Sequence, residues 1–147
     1  MSKAEWTYLL NPSNAPSGAR QGNRFAKAKL NDTDGLIIFP DGYDGTTSGE
    51  GIATVNNCDA GYPGKNIPDV TWKEMVKVGV VFLPASGYRS DSGTVSIDSN
   101  ISGIYWSSNN YSSSAIYRLI FTKKALTTEN SSLNKSASTV RLVRDVK

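Results

Sequence analysis

Glycine is absent from the last third of the chain, and this absence limits how that part can fold. All thirteen glycines lie at or before Gly103, whereas seventeen of the thirty-three residues from Ser107 to Thr139 are Ser, Thr or Asn. Turns in this region must therefore rely on Asn and Ser, whose side chains hydrogen-bond to the local backbone. Between Ser107 and Ser114 only Tyr111 interrupts a run of Ser and Asn, and such a run cannot build a core.

Two strand patterns nevertheless interrupt this polar region, which excludes a slack linker. The segment AIYRLIF alternates between two faces, with Tyr117, Leu119 and Phe121 on one and Ile116, Arg118 and Ile120 on the other. In STVRLVRDV, Val140 and Leu142 alternate with Arg141 and Val143. Small polar residues with an interspersed Tyr are typical of adaptable binding loops, but they also fit solvated loops that cover a sheet. The residues alone leave both interpretations open.

Length and charge predict one domain with a basic C-terminal part. A chain of 147 residues can bury a core as a single domain, 1–147, and 10% aromatic residues argue against disorder. The net charge of +3 is too small to indicate nucleic-acid binding. Residues 104–147 carry seven Lys or Arg against two acidic residues, a surface open to an acidic partner. No apolar run approaches the ~20 residues of a membrane helix, and the N-terminus lacks the apolar core of a signal peptide, so we expect no membrane insertion.

The residue types argue against catalysis and against a metal. The chain has no His and a single Cys, Cys58, so Ser-His triads, disulfides within the chain and cysteine-based zinc sites are excluded. Asp residues in NDTDG and PDGYDG are spaced like turns rather than like the regular calcium loop. Glu5 and Glu74 each occupy the third position of a capping box, with Ser2 and Thr71 respectively. We therefore predict no catalytic residue, no metal and no cofactor.

The coarse pattern predicts an α+β domain. Helices are expected near residues 3–10 and 70–78, and strands over 24–30 and 35–40, joined by NDTD with Gly35 closing the turn. A further strand ends at Pro84, and residues 41–66 and 85–103 are predicted to be irregular loops. The predicted core comprises Trp6, Leu9, Ile37, Phe39, Val81, Leu83, Trp106, Leu119, Phe121, Val140 and Leu142.

Five segments, in order, resemble one bacterial family. GLIIFPDGY, VVFLPASGYR, GIYWSS, AIYRLIF and TVRLVRD are similar to the Fibrobacter-succinogenes-type major paralogous domain family of gut Bacteroidetes and their phages. The resemblance implies a C-type-lectin-like fold, in which two helices flank a small, mostly antiparallel sheet with long loops. Some members resemble variable proteins of diversity-generating retroelements, and residues 104–135 have the composition of such a variable region. Members are often surface lipoproteins or phage proteins, which suggests a cell surface or a virion as the location.

These observations predict a non-enzymatic domain that binds a protein or glycan on another cell or surface. The predicted ligand-binding residues lie on the outward face of the AIYRLIF strand and in the loops at both of its ends, where the loops are expected to converge. They are Asn109, Asn110, Tyr111, Ser113, Ile116, Arg118, Ile120, Lys123, Lys124, Asn130, Ser132, Asn134 and Lys135.

Two other functions remain open. One is a carbohydrate-binding surface protein, either calcium-dependent or calcium-independent, although the lectin motif EPN is echoed only by Glu129-Asn130. The other is an enzyme of the formylglycine-generating type. This function is a poor match, because those enzymes depend on cysteines that this chain lacks.

Overall fold

The computed structural model describes residues 1–14, 22–90, 92–96, 102–133 and 137–140. Within them the chain is an α+β domain with two α-helices, one short 3-10 helix and nine strands in three antiparallel sheets. The helices are α1 (Lys3–Leu10) and α2 (Asp69–Lys77), and the 3-10 helix covers Pro12–Asn14. The strands are β1 (Phe25–Leu30), β2 (Thr33–Ile38), β3 (Val81–Pro84), β4 (Tyr88–Arg89), β5 (Val95–Ser96), β6 (Gly103–Asn110), β7 (Ala115–Phe121), β8 (Leu126–Leu133) and β9 (Ala137–Ser138). Neither α-helix is long and apolar enough to cross a membrane.

Helix α1 begins with the predicted capping box. The Ser2 hydroxyl accepts from the Glu5 amide at 3.2 Å, and the Ser2 amide donates to the Glu5 carboxylate at 2.6 Å. These bonds satisfy two backbone donors that the first turn of a helix leaves open. Trp6 and Leu10 are buried, and the helix ends where Asn11 becomes extended before Pro12. The prediction of a helix over 3–10 is confirmed.

Helix α2 confirms its predicted position but not its predicted cap. It starts at Asp69 directly after Pro68, which is extended and makes no side-chain cap bond. The Trp72 amide already donates to the Pro68 carbonyl, so Thr71 lies inside the helix. The capping box predicted at Thr71 is wrong, and Glu74 instead contacts Lys77 at 2.6 Å.

The two caps predict different responses to substitution. Ser2→Ala should lower the free energy of unfolding by about 1 kcal/mol, because the first turn of α1 loses its acceptor. Thr71→Ala should change it by less than about 0.5 kcal/mol, because no cap bond is lost. Urea denaturation followed by circular dichroism measures both, and equal losses would contradict this assignment of the caps.

The first sheet has the order β1-β2-β3, and its hairpin turn lies within the predicted NDTD segment but is shorter than predicted. Asn31 and Asp32 both have positive φ, 47° and 60°, so the tight turn is made by these two residues. Strand β2 then starts at Thr33, and Gly35 lies within it rather than in the turn. A Cβ on Gly35 would meet the Leu83 carbonyl of β3 at 2.5 Å, so glycine there permits close strand packing.

The other two sheets hold the C-terminal part of the chain. One has the order β6-β7-β8 and the other the order β5-β4-β9. Residue Thr139 joins them, since its amide donates to Ile104 and its carbonyl accepts from Trp106, both at 3.0 Å. Residues 85–103, predicted to be loop, contain the short strands β4 and β5.

Two clusters form the core, and they correct part of the predicted core. Trp6, Ile37, Phe39, Leu83, Leu119 and Phe121 are buried as predicted. Ile37 and Phe39 belong to one cluster, and Leu9 and Val81 pack half-buried against the other, which contains Trp6, Leu83, Leu119 and Phe121. In β6 the buried aromatic residue is Tyr105, whereas Trp106 is only half-buried. Val140, predicted to be in the core, is 61% exposed, and Leu142 lies outside the described residues.

Candidate ligand-binding surface

The Ser/Asn run forms the end of an antiparallel hairpin made by β6 and β7. The amides of Tyr111 and Ser112 both donate to the Ala115 carbonyl, at 2.8 and 3.1 Å. The Ser114 amide donates to the Ser112 hydroxyl at 3.3 Å. We call residues 109–114 the hairpin tip. These bonds close the tip without glycine and with a serine hydroxyl as one acceptor, as the composition predicted for Ser.

Tyr111 is the one large apolar side chain of the tip, and it is held in place although it is 59% exposed. Its ring meets the Tyr117 ring of β7 edge to face, with centroids 5.2 Å apart and an interplanar angle of 89°. The ammonium of Lys3 lies over the Tyr117 ring at 4.7 Å. A ring fixed in this way loses little side-chain entropy when it contacts a ligand.

The start of α1 supports the tip from the side. The Met1 carbonyl accepts from the Ser108 amide, and the Asn109 side-chain oxygen accepts from the Lys3 amide, both at 2.8 Å. The Lys3 ammonium contacts the Glu129 carboxylate of β8 at 2.7 Å, and this hydrogen bond is the main cause that raises the pKa of Lys3. The sequence pattern missed Lys3, because its partners are more than a hundred residues away.

Asn109 therefore has a supporting role that its neighbour does not share. Asn109→Ala should lower the free energy of unfolding by roughly 0.5–1 kcal/mol, because the first turn of α1 loses an acceptor. Asn110→Ala should change it by less than about 0.5 kcal/mol, since Asn110 is exposed at the tip. Thermal unfolding of the two single variants compares them directly, and a larger loss for Asn110→Ala would reverse this assignment.

The predicted ligand-binding residues in the two loops that flank β7 lie at opposite ends of the sheet. Asn109, Asn110, Tyr111 and Ser113 are exposed together at the tip. Lys123 and Lys124 are also exposed, but they lie in the turn between β7 and β8, beyond the opposite end of β7. Seven strand residues at ~3.3 Å each separate the two ends by roughly 20 Å. The structure does not bring the two loops together as the sequence analysis expected.

The face of β7 that was expected to point outward is half-buried. Leu119 and Phe121 are buried, so the predicted alternation is confirmed, but Ile116, Arg118 and Ile120 are neither buried nor exposed. Burial lowers the pKa of Arg118, and nearby Tyr88 of β4 acts in the opposite direction. This face is therefore partly covered, whereas the sequence analysis expected its two isoleucines to be exposed.

The last four predicted residues belong to β8 or follow it. Asn130 pairs with Arg118 and Ser132 pairs with Ile116, so the backbone places both residues beside β7. Of the two, Ser132 is the nearer to the end of β7 that adjoins the tip. Asn134 and Lys135 lie outside the described residues.

Three of the four aspartates considered as metal ligands, Asp32, Asp34 and Asp41, have other partners. Asp32 accepts from the Asn66 side-chain amide at 2.8 Å, in the turn that the sequence predicted. Asp34 contacts Lys29 at 3.2 Å, and Asp41 contacts Arg24 at 2.7 Å. Among the residues that the structure describes, no group of three or more Cys, Asp or Glu is placed to hold a metal.

Lys27 of β1 is a fully buried charged residue that the sequence analysis did not single out. Its ammonium donates to the carbonyls of Cys58 and, at 3.0 Å, Lys123. Burial lowers the pKa of Lys27. Lysines with a lowered pKa occur in active sites, but here the ammonium joins two loops through their backbone carbonyls. We therefore assign Lys27 a structural role, since it fixes the β7–β8 turn to the loop that contains Cys58.

Comparison with known proteins gives one family match. A family described as "Domain of unknown function (DUF8237)" matches residues 56–143, more than half of the chain, from the loop before α2 to beyond β9. No curated protein and no solved structure matches the chain.

Proposed function

The chain belongs to the DUF8237 family, and we propose that it is a non-enzymatic domain that binds a ligand through the hairpin tip. The observation that carries this proposal is the placement of Tyr111, which is exposed and yet held against Tyr117. Tyrosine supplies a large contact area at a small entropic cost, which is why binding loops use it. In the tip it is surrounded by Ser and Asn, which can adapt their hydrogen bonds to a ligand.

The tip lies outside the hydrophobic core, which further supports the proposal. None of the described tip residues belongs to either core cluster. The core side of β7 is anchored by Leu119 and Phe121, well away from the tip. Substitutions at Asn110, Tyr111, Ser112 and Ser113 are therefore expected to leave the fold intact. This is the arrangement that a variable region on a constant scaffold needs.

We extend the proposal to a C-type-lectin-like domain with a variable region over residues 104–135. Its support is the α+β arrangement of two helices and small antiparallel sheets, together with the polar hairpin inside that range. Reading the neighbouring genes for a reverse transcriptase and a near-identical template repeat tests the retroelement part. If the gene had neither neighbour, the retroelement part of the proposal would fall.

The residues that resemble catalytic groups have structural partners, which favours binding over catalysis. Glu5 caps α1, Glu74 contacts Lys77, and Lys27 donates to two backbone carbonyls. Lys123 and Lys124 remain available to an acidic partner, but from the far end of the sheet. The tip itself is proposed to contact a protein or a glycan.

The proposal is tested by Tyr111→Ala. Fluorescently labelled protein is added to a panel of bacterial and mammalian cells, and bound protein is measured by flow cytometry. Loss of a central aromatic contact costs about 2 kcal/mol or more, so we expect affinity to fall by at least ~30-fold. The control is Val70→Ala, which removes another exposed apolar side chain, on α2. This variant should bind as the original protein does. If both variants bind equally well, the tip is not the binding surface.

A further inference from the structure

The hairpin tip itself carries no charge, and this restricts what the tip can bind. Residues 109–114 are Asn, Asn, Tyr, Ser, Ser and Ser, and none carries a charge at neutral pH. Beside the tip, Lys3 and Glu129 contact each other at 2.7 Å. An anionic ligand would have to compete with Glu129 for Lys3 while lying beside a carboxylate, which is unfavourable at this distance. The surface therefore fits an uncharged ligand.

The apolar content of the tip is too small for an ordinary protein interface. Stable protein interfaces bury ~800 Å² on each side, and their centres contain several aromatic or aliphatic side chains. At the tip, Tyr111 alone is a large exposed apolar residue. The other large exposed apolar side chains that the structure describes lie elsewhere, on α1, on and beside α2, and after β9: Tyr8, Val70, Val76, Val78 and Val140.

The groups around Tyr111 match the surface of a sugar ring. Serine hydroxyls and asparagine amides can both donate and accept hydrogen bonds, as sugar hydroxyls do. A tyrosine ring offers an apolar face of matching size to the C–H face of a pyranose, and contact removes both apolar surfaces from water. Contact with Tyr117 holds the ring in one orientation before a ligand arrives.

We propose that the hairpin tip binds an uncharged pyranose unit of a glycan, which stacks on Tyr111 and hydrogen-bonds to the surrounding Ser and Asn side chains. This inference rests on the proposed function and narrows it to one ligand class. It also moves the site away from Lys123 and Lys124, which the basic composition of the C-terminal part had suggested for an acidic partner.

Two variants and two cell treatments test the inference. Binding is measured on an array of neutral, sialylated and sulfated oligosaccharides, and on the same cell panel after periodate oxidation, which cleaves vicinal diols, or after protease digestion. We expect binding to neutral oligosaccharides, loss of cell binding after periodate and retention after protease. Tyr111→Phe, which keeps the ring, should retain affinity within about threefold, whereas Tyr111→Ala should again lose at least ~30-fold. Affinity should change by less than about twofold between 50 and 500 mM salt, because no charge pair forms.

The outcomes separate this inference from the proposed function. Binding that depends on Tyr111 but is removed by protease and survives periodate would overturn the glycan assignment and leave the proposed function standing. A preference for sialylated or sulfated oligosaccharides, with affinity that falls as salt rises, would overturn the uncharged ligand. The absence of Tyr111-dependent binding to array and cells would overturn both proposals.

Discussion

Replacing Gly51 with alanine should lower the free energy of unfolding by about 3–4 kcal/mol, because strain and overpacking add at this position. Gly51 has φ +78°, in the left-handed region that alanine disfavours. A Cβ there would lie 2.1 Å from the Ile67 amide nitrogen and 2.4 Å from the Asn66 carbonyl carbon. These are backbone atoms, and the Ile67 amide is itself bonded to the Lys29 carbonyl of β1 at 2.8 Å. Neither the segment at Gly51 nor the segment at Ile67 can move without breaking its backbone hydrogen bond to Lys29 of β1.

Two other glycines in the same long loop separate the two contributions. Gly49 has φ +143°, but a Cβ there would meet no atom of a non-adjacent residue within 4 Å, so Gly49→Ala should show the backbone strain alone, about 1–3 kcal/mol. Gly42 has open space and no positive φ, so Gly42→Ala should change stability by less than about 0.5 kcal/mol. Urea denaturation gives all three values. A Gly51→Ala protein as stable as Gly42→Ala would show that the loop does not pack against β1 in this way.

Replacing Arg24 with methionine should lower the free energy of unfolding by about 2–3 kcal/mol. The Arg24 side chain is fully buried, and it contacts Asp41 at 2.7 Å and the Tyr8 carbonyl at 2.9 Å. Its guanidinium also lies 4.7 Å from the centre of the Tyr8 ring. Breaking a buried ion pair costs about 3–5 kcal/mol, and the value is lower here because the Asp41 side chain is 46% exposed. The loss should appear mainly as weaker packing of α1, because Arg24 joins Tyr8 of α1 to Asp41.

The conservative variant distinguishes geometry from charge. Arg24→Lys keeps the charge but cannot contact Asp41 and the Tyr8 carbonyl with one planar group, so it should lose about 1–2 kcal/mol. Tyr8→Phe removes only the hydroxyl that donates to Asp41 at 2.7 Å, and should lose about 1 kcal/mol or less. Chemical denaturation ranks the three proteins. A methionine variant as stable as the original would mean that burying Arg24 costs as much as its contacts contribute.

Local signals in the sequence predicted the elements that depend on nearby residues. The capping box of Ser2 and Glu5 located α1, and alternation along AIYRLIF gave the correct buried face of β7. The same kind of signal failed at Thr71, because α2 starts earlier, directly after Pro68, and the motif lies within the helix. A motif of four residues identifies a helix start only where the chain before it is not already helical.

Packing between distant segments determines those features of the fold that local sequence patterns did not predict. Tyr105 and Trp106 are adjacent aromatic residues, and alternation alone does not decide which one faces the core. The register of β6 also shifts between Trp106 and Asn110, so the pattern toward the tip cannot be extended from the pattern at the start of the strand. Lys3 contacts Tyr117 of β7 and Glu129 of β8, which joins the start of the chain to the third sheet, and no local pattern predicts these contacts.

One error in the predicted site could have been avoided from strand length alone. A seven-residue strand that lies between two hairpin turns places those turns at opposite ends of the sheet. Lys123 and Lys124 therefore could not lie beside Tyr111 once AIYRLIF was assigned as a single strand. The tip residues were identified correctly as exposed because the Ser/Asn run has almost no apolar content.

The central claim is that residues 110–113 of the hairpin tip make contact with a ligand and are not needed for the fold. A display library randomised at Asn110, Tyr111, Ser112 and Ser113 tests it directly, with sorting first for protease resistance and then for binding to the cell panel. We expect most members to resist protease as the original protein does, and the binding pool to retain an aromatic residue at position 111. A matched library randomised at the buried Leu119 and Phe121 should lose resistance in most members. If the tip library lost resistance as often as the core library, the tip would be structural. If the tip library bound equally well with any residue at position 111, Tyr111 would not contact the ligand. Either result would contradict the account.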